Sequence, residues 1–222
     1  MNSFPLQDPP MSHTALAIAP ALERIAVTPS GTVPTDAQCR MWWDKYAMFD
    51  HIKLHSQKVA DVATALALLA TARNRAGTNA TTFVQSVRAA GLLHDLGKTY
   101  SIQHGGNHSQ LGAAWVMELT GNPALAQGVI HHVHWPGELD PNIFFLPLAI
   151  IYADKRVMHD RLVDLDERFA DLYARYGHTE RSRDLIAVSH AQGKELERIL
   201  STFLGENLHA YFTDSWRLVR RA

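Results

Sequence analysis

Histidines and aspartates set on apolar helical stripes are the residues of this sequence with the means to do chemistry. His94 and Asp95 are adjacent and close a predicted helix that runs from about Thr82 through Val84, Val87, Ala90, Leu92 and Leu93, with Gly97 as its stop. His55 lies four residues before Val59, on the stripe continued by Val62, Leu66 and Leu69. His108 shares a face with Leu111, Trp115 and Leu119, while His131 and His132 end a run through Leu125, Ala126 and Val129. Asp154 falls on a stripe with Ile150 and Val157. An unpaired carboxylate withdrawn from water costs several kcal/mol, so inward-facing Asp95 and Asp154 require cations. Neutral imidazole with carboxylate oxygen is a donor set for zinc and the transition metals. A metal centre answers all these positions at once, and the 13 histidines of the chain give it its ligands. Singly, His55 or His108 reads as a hydrogen-bonded core histidine; their joint spacing is what points to metal.

The elements that must position these groups are helical. Thr35 and Asp36 offer capping chemistry for a helix over Ala37–Met48 that buries Met41, Trp42 and Tyr46. Helices follow from about His51 to Thr71, from Thr82 to the His94-Asp95 pair, and from His108 onward after a loop at Gly105–Asn107. The Gly121-Asn122-Pro123 turn starts the run ending at His131 and His132, which Pro136 and Gly137 terminate, and a further helix begins near Pro147. Two more amphipathic helices, Arg161–Arg175 and Thr179–Phe203, read as packing elements. No strand-like alternation or repeat is sustained, so the expected class is all-α, a helical bundle with extra C-terminal helices. Pro5, Pro9, Pro10, Pro20, Pro29 and Pro34 make residues 1–35 a loose extension, with Thr14–Ala26 as one candidate helix. Residues 36–160 form the expected core domain, and 161–222 the helices packed on it.

Composition narrows the partners. Apolar residues make up 46% and charged residues 19% of the 222, a globular balance, and the net charge of -1 argues against a nucleic-acid duplex as ligand. The single Cys39 excludes an internal disulfide and a cysteine-rich zinc site and fits a reducing compartment. No run approaches the roughly 20 apolar residues of a membrane helix, and Met1–Pro20 has no basic start followed by an apolar stretch. The expectation is a cytoplasmic protein with no membrane partner.

Several motifs, in order, resemble those of the HD superfamily of metal-dependent phosphohydrolases. They are His55-Ser56 followed by Val59-Ala60, then Gly91-Leu92-Leu93-His94-Asp95-Leu96-Gly97-Lys98, then Ile150-Ile151-Tyr152-Ala153-Asp154-Lys155. Together they span about Lys45 to Val157. His108 in His108-Ser109-Gln110-Leu111-Gly112-Ala113, and His132 in Val129-Ile130-His131-His132, are similar to the further ligands of the subgroup that binds two metals. The resemblance implies His55, His94, Asp95 and Asp154 around one divalent ion, with Asp95 bridging to a second held by His108 and His132. His131 and His134 are the alternatives to His132. Iron, manganese, zinc, cobalt and nickel all suit such ligands.

The implied activity is hydrolysis of a phosphate ester or anhydride, of a nucleotide or another phosphorylated small molecule, by water that the metal activates. Asp95 and Lys98 are the implied catalytic residues, Lys98 as a positive charge on phosphate or a partner for a carboxylate. Helical spacing turns Lys155 and Arg156 away from the Asp154 face. The run Val133-His134-Trp135-Pro136-Gly137-Glu138 lacks the Gly-Tyr-Pro signature of cyclic di-GMP phosphodiesterases. Leu96-Gly97-Lys98-Thr99 resembles neither the deoxynucleotide triphosphohydrolases nor the guanosine-tetraphosphate hydrolases. Local similarity around Leu148–Lys155 and His108 is to bacterial HD hydrolases of dinucleoside tetraphosphates. The competing expectation is a nucleotide-sensing or protein-binding module on the same fold; a single-metal enzyme whose His108 and His132 contact substrate is a third. His13, His51, His104, His159, His178, His190 and His209 read as surface or loop residues, and Arg217, Arg220 and Arg221 as a solvated helix end. The Trp42, Trp43 and Tyr46 cluster reads as core.

Overall fold

The computed structural model describes residues 31–210. The candidate helix Thr14–Ala26, most of the expected N-terminal extension and the basic Arg217, Arg220 and Arg221 lie outside them. The chain begins with α1 (Asp36–Lys45), α2 (Asp50–Ala72) and α3 (Ala80–Leu93). Thr35 and Gln38 close a capping box over α1, satisfying two of the free N–H groups at its start. Cys39 and Trp43, four apart, form the buried face of α1, whereas Met41 is 59% exposed and Trp42 and Tyr46 are only half-buried. The expected inward face is thus rotated by about one residue, because Trp43 Nε1 donates to the Leu92 carbonyl at 2.8 Å and fixes which side meets α3.

The long α2 is the central helix and packs along α3, with Val59, Ala60, Ala63 and Leu66 fully buried. They approach closely at Gly91, where a Cβ would stand 2.7 Å from the Ala60 Cα. Arg88 on α3 ties three helices together: Nε reaches both Asp36 carboxylate oxygens on α1, at 3.0 and 2.9 Å, and Nη1 reaches Asp61 on α2 at 3.1 Å.

Beyond α3 come α4 (Lys98–His104), α5 (His108–Thr120), α6 (Pro123–Ile130) and α7 (Pro141–Lys155). Helix α4 was not among the expected elements; its seven residues carry too little periodicity to stand out, and Thr99 holds it by accepting from the Phe49 N–H at 2.9 Å. Asn107, Asn122 and Asp140 cap α5, α6 and α7, each accepting from N–H groups of the first turn. The helix expected from near Pro147 starts at Pro141. Two helical pieces merge across a kink at Phe144, and the kink accommodates Pro147, which has no N–H to donate back along the helix. Helix α7 is buried on nearly every side, against α2, α3 and α6.

The chain then forms a short antiparallel hairpin, β1 (Val157–Met158) with β2 (Arg161–Leu162). The expected helix over Arg161–Arg175 therefore begins later, as α8 (Leu165–Tyr176) capped by Asp164, and Val157 belongs to a strand rather than to the Asp154 helical face. The fully buried Arg156 decides this: its backbone carbonyl accepts from Val163 N–H at 2.8 Å, and its Nε donates to the Val163 carbonyl at 2.7 Å, folding the chain back. Helix α9 (Glu180–Leu204) packs on α7 and α8 and buries Leu196, Leu200 and Leu204. Among the described residues the fold is helical apart from the hairpin. No helix among the described residues is long and apolar enough to cross a membrane.

Gly91→Ala is expected to destabilise the protein by about 1–3 kcal/mol, because the new methyl meets backbone rather than a flexible side chain; the readout is the midpoint of urea unfolding. Burial works to raise the pKa of Asp36, but the hydrogen bonds and charge of Arg88 outweigh it and lower it. A depressed carboxyl stabilises the fold above its ordinary pKa, and the contribution is lost as pH falls through the folded value. Asp36→Asn should therefore cost about 1 kcal/mol at neutral pH for this partly exposed pair, with the gap to wild type closing in acid.

Candidate metal centre

The last turn of α3 delivers His94 and Asp95 to the middle of the molecule. A helix leaves its final carbonyls without partners, and here each finds one. The Gly91 carbonyl accepts from His94 Nδ1 at 2.7 Å, that of Leu92 from Trp43, and that of Leu93 from the Leu96 N–H at 3.0 Å. The tight turn then brings Gly97 against α5, where a Cβ would stand 2.5 Å from the His108 carbonyl. That contact sets His108, the first residue of α5, beside Asp95. His132 follows α6, His55 lies on α2 and Asp154 near the end of α7.

Three of the four rings are held alike. His94, His132 and His55 donate Nδ1–H to the carbonyls of Gly91, Val129 and His159, at 2.7, 2.7 and 2.9 Å. When such a ring is neutral, its committed Nδ1 proton leaves Nε2 to ligate, the arrangement typical of metal-ligating histidine. All three Nε2 atoms face inward. His55 Nε2 is 2.9 Å from Asp154 Oδ1, and His94 Nε2 is 3.5 Å from Asp95 Oδ2 and 3.8 Å from Asp154 Oδ1. On the other side, His108 Nε2 and His132 Nε2 each lie 3.5 Å from Asp95 Oδ1 and 3.1 Å from one another. Asp95 thus turns one oxygen to each group. Ligand atoms of His55, His94 and Asp95 lie within 4.8 Å of one another, as do those of Asp95, His108 and His132.

Charge completes the arrangement. Burial would raise the Asp95 pKa, but Lys98, His94 and His132 hold it well below the ordinary carboxylate range; Lys98 Nζ donates to Asp95 Oδ2 at 2.8 Å. Burial likewise opposes the ionised form of Asp154, and His55, His94 and Arg168 outweigh it. Burial pushes His108 down to about 4, so at neutral pH its ring is uncharged and free to ligate. His94 Nε2 and Asp95 Oδ1 are buried with no hydrogen-bond partner among the described residues. A cation in each cluster would satisfy both atoms, and the one between Asp95, His108 and His132 would take up the two ring nitrogens that face each other at 3.1 Å, so the donor set fits divalent metal.

Of the three neighbouring histidines, His132 is the one brought to Asp95. His131 packs its ring on Trp135, and His134 is exposed. Arg156 turns away from the centre as expected, but Lys155 does not: it lines the same cavity as Asp154 and donates to the Val133 carbonyl at 2.8 Å. Trp43 belongs to the core, and Tyr46 stacks on Trp115 rather than reaching the cavity.

The cavity in front of these residues has a volume of about 560 Å³. Two of its features escaped the sequence reading. His159, expected to be a surface or loop residue, is exposed as such but carries at φ 58 the carbonyl that orients His55. Helix α8, taken as packing alone, lines the cavity with Arg168, Phe169, Leu172, Arg175 and Tyr176. Their recurrence at helical spacing is a readable signal of one face, though nothing in it distinguishes a cavity wall from a core.

The family model described as HD domain matches residues 53–187, more than half of the chain. No curated protein and no solved structure matches it. In a manganese-reconstituted sample, elemental analysis is expected to find about two ions per chain in wild type, about one in His108→Ala, and a deficit at both positions in Asp95→Ala, the shared ligand. Full occupancy in Asp95→Ala would remove it from the ligand set.

Proposed function

The chain belongs to the HD domain family, whose members are mostly metal-dependent phosphohydrolases, and from this we propose that the protein hydrolyses a phosphate ester or anhydride bond of a phosphorylated small molecule, a nucleotide by our reading. The observation that carries the proposal is the double cluster around Asp95, whose two oxygens face separate sets of histidines. His55, His94, Asp95 and Asp154 would hold one cation, and Asp95, His108 and His132 a second. Such ions, when bound, draw charge from phosphoryl oxygens and lower the pKa of water toward about 7.

The protein's own groups do the rest. The backbone carbonyls behind His55, His94 and His132 fix the ring orientations before any ligand arrives, so little reorganisation is left to the reaction. Lys98 stands at the cavity wall against Asp95; burial would lower its pKa, but Asp95 and Asp154 raise it, so it keeps its charge. From there it orients the Asp95 carboxylate and offers a cation to a phosphoryl oxygen. A cavity of about 560 Å³ accommodates a ligand of nucleotide size.

Manganese-loaded protein is expected to convert at least one member of a panel of mononucleotides, cyclic nucleotides and dinucleoside polyphosphates, and Asp95→Ala to lower kcat by a factor of 100 or more, roughly the loss of a principal electrostatic stabiliser. Product chromatography identifies the bond cleaved. A nucleotide that raises the melting temperature without being consumed would instead indicate a sensing module.

A further inference from the structure

Helix α8 presents to the cavity a face that the metal centre does not use. Arg168, Leu172, Arg175 and Tyr176 follow one another along that face, and seven residues separate the two arginines, about 10 Å of helix. The cavity therefore extends well past the histidine–aspartate cluster. Asp171 lies between the arginines and binds both: Arg168 Nη1 at 3.3 Å, and Arg175 through Nε at 3.1 and 3.0 Å.

The two arginines differ in what remains free. Arg175 is engaged by both oxygens of Asp171 and lies over the Tyr176 ring, 5.0 Å from its centroid. Arg168 is nearly buried, with 11% of its side chain exposed, and its Nε has no hydrogen-bond partner among the described residues. A buried charged donor left unmatched is costly, and a guanidinium edge suits a phosphoryl group through two parallel hydrogen bonds. Apolar surface flanks it: Leu172 and Tyr176 on α8 and Ile102 on α4, the last 60% exposed.

We propose that α8 is the substrate-recognition wall, with Arg168 binding a second phosphoryl group beside the one presented to the histidine–aspartate centre, and with Leu172, Tyr176 and Ile102 receiving the organic part. The substrate class is then an organic di- or polyphosphate, preferred over the corresponding monophosphate. This rests on the phosphohydrolase reading for the position of the first phosphoryl group.

The test is calorimetric binding to the full-length, manganese-loaded protein, using phosphonate analogues of AMP and ADP in which methylene replaces the cleavable oxygens, with inorganic pyrophosphate alongside. Wild type is expected to bind the ADP analogue more tightly than the AMP analogue. Arg168→Ala should weaken the ADP analogue about 10- to 100-fold, the range for a lost hydrogen bond to a charged group, and the AMP analogue less than about 3-fold. Arg168→Lys should recover only part of the loss, since an ammonium has no planar edge. Tyr176→Ala should weaken the ADP analogue but not pyrophosphate. A general loss of structure would weaken both nucleotides together. Equal weakening of both, unchanged ADP-analogue affinity in Arg168→Ala, or no binding by wild type would each overturn the proposal. Arg168-dependent binding by a protein that turns nothing over would leave the recognition wall standing and remove the hydrolase reading. Turnover with affinities indifferent to Arg168 would do the reverse.

Discussion

Asp95 has 1% of its side chain exposed and Asp154 18%, and a carboxylate withdrawn this far from water stays ionised only where positive charge or donors face it. The surrounding helices are arranged to that end. Asp95 meets Lys98, His94, His108 and His132, contributed by the segments that enter and leave its turn and by the ends of α5 and α6. Asp154 meets His55 from the central helix. The packing of α2 on α3, and of α5 and α6 on the turn after α3, therefore serves an electrostatic requirement as well as a hydrophobic one. Separating any of these contacts would leave a charge inside the core without compensation.

Helix termini provide the second level of organisation. The carbonyls that orient His94 and His132 are residues 91 and 129, each three positions before its histidine at the end of a helix. The same backbone groups that a helix leaves unsatisfied at its C-terminus become the fixed partners of the ligating rings. His55 lies mid-helix and has no such local carbonyl, so a hairpin of two-residue strands supplies one from His159, at the cost of a left-handed backbone at a non-glycine residue. The hairpin thus explains its own presence in an otherwise helical fold.

Much of this was legible in the sequence, because the centre is built from regular helices. His55 and Asp154 sit on stripes of period 3.6 whose neighbours Val59 and Ile150 are buried, whereas the buried face of α5 is Ser109, Gly112, Ala113 and Val116 and not the expected Leu111, Trp115 and Leu119, so His108 was legible from motif order rather than from its stripe. Illegible were features decided by single distant contacts. Trp43 faces the core because of the Leu92 carbonyl, 49 residues away, so the face of α1 was misjudged. The hairpin rests on Arg156, whose burial has no local signature. His159 contributes a backbone atom, which residue type does not encode. The cavity face of α8 has the pattern of any packed amphipathic helix, and only the position of α2 and α7 makes it a wall.

Among the described residues, some of the buried polar atoms that lack partners lie at the cavity, while others, such as Ser56 Oγ, Ser101 Oγ and Gln127 Nε2, lie away from its lining. The buried side-chain atoms without a hydrogen bond among the described residues include His94 Nε2 and Asp95 Oδ1 at one end of the cavity and Arg168 Nε at the other. Each such atom costs on the order of 1–3 kcal/mol of stability, more where charge is involved. Local rules are obeyed elsewhere: the caps of α1, α5, α6, α7, α8 and α9 are all satisfied by their own side chains. Helices α2 and α4 start without a side-chain cap, and Asp95 and Arg168, each with one unmatched side-chain atom, both line the cavity. Under the proposed function, cations at Asp95 and the donor edge of Arg168 would serve one occupant, an organic polyphosphate lying along the cavity between them.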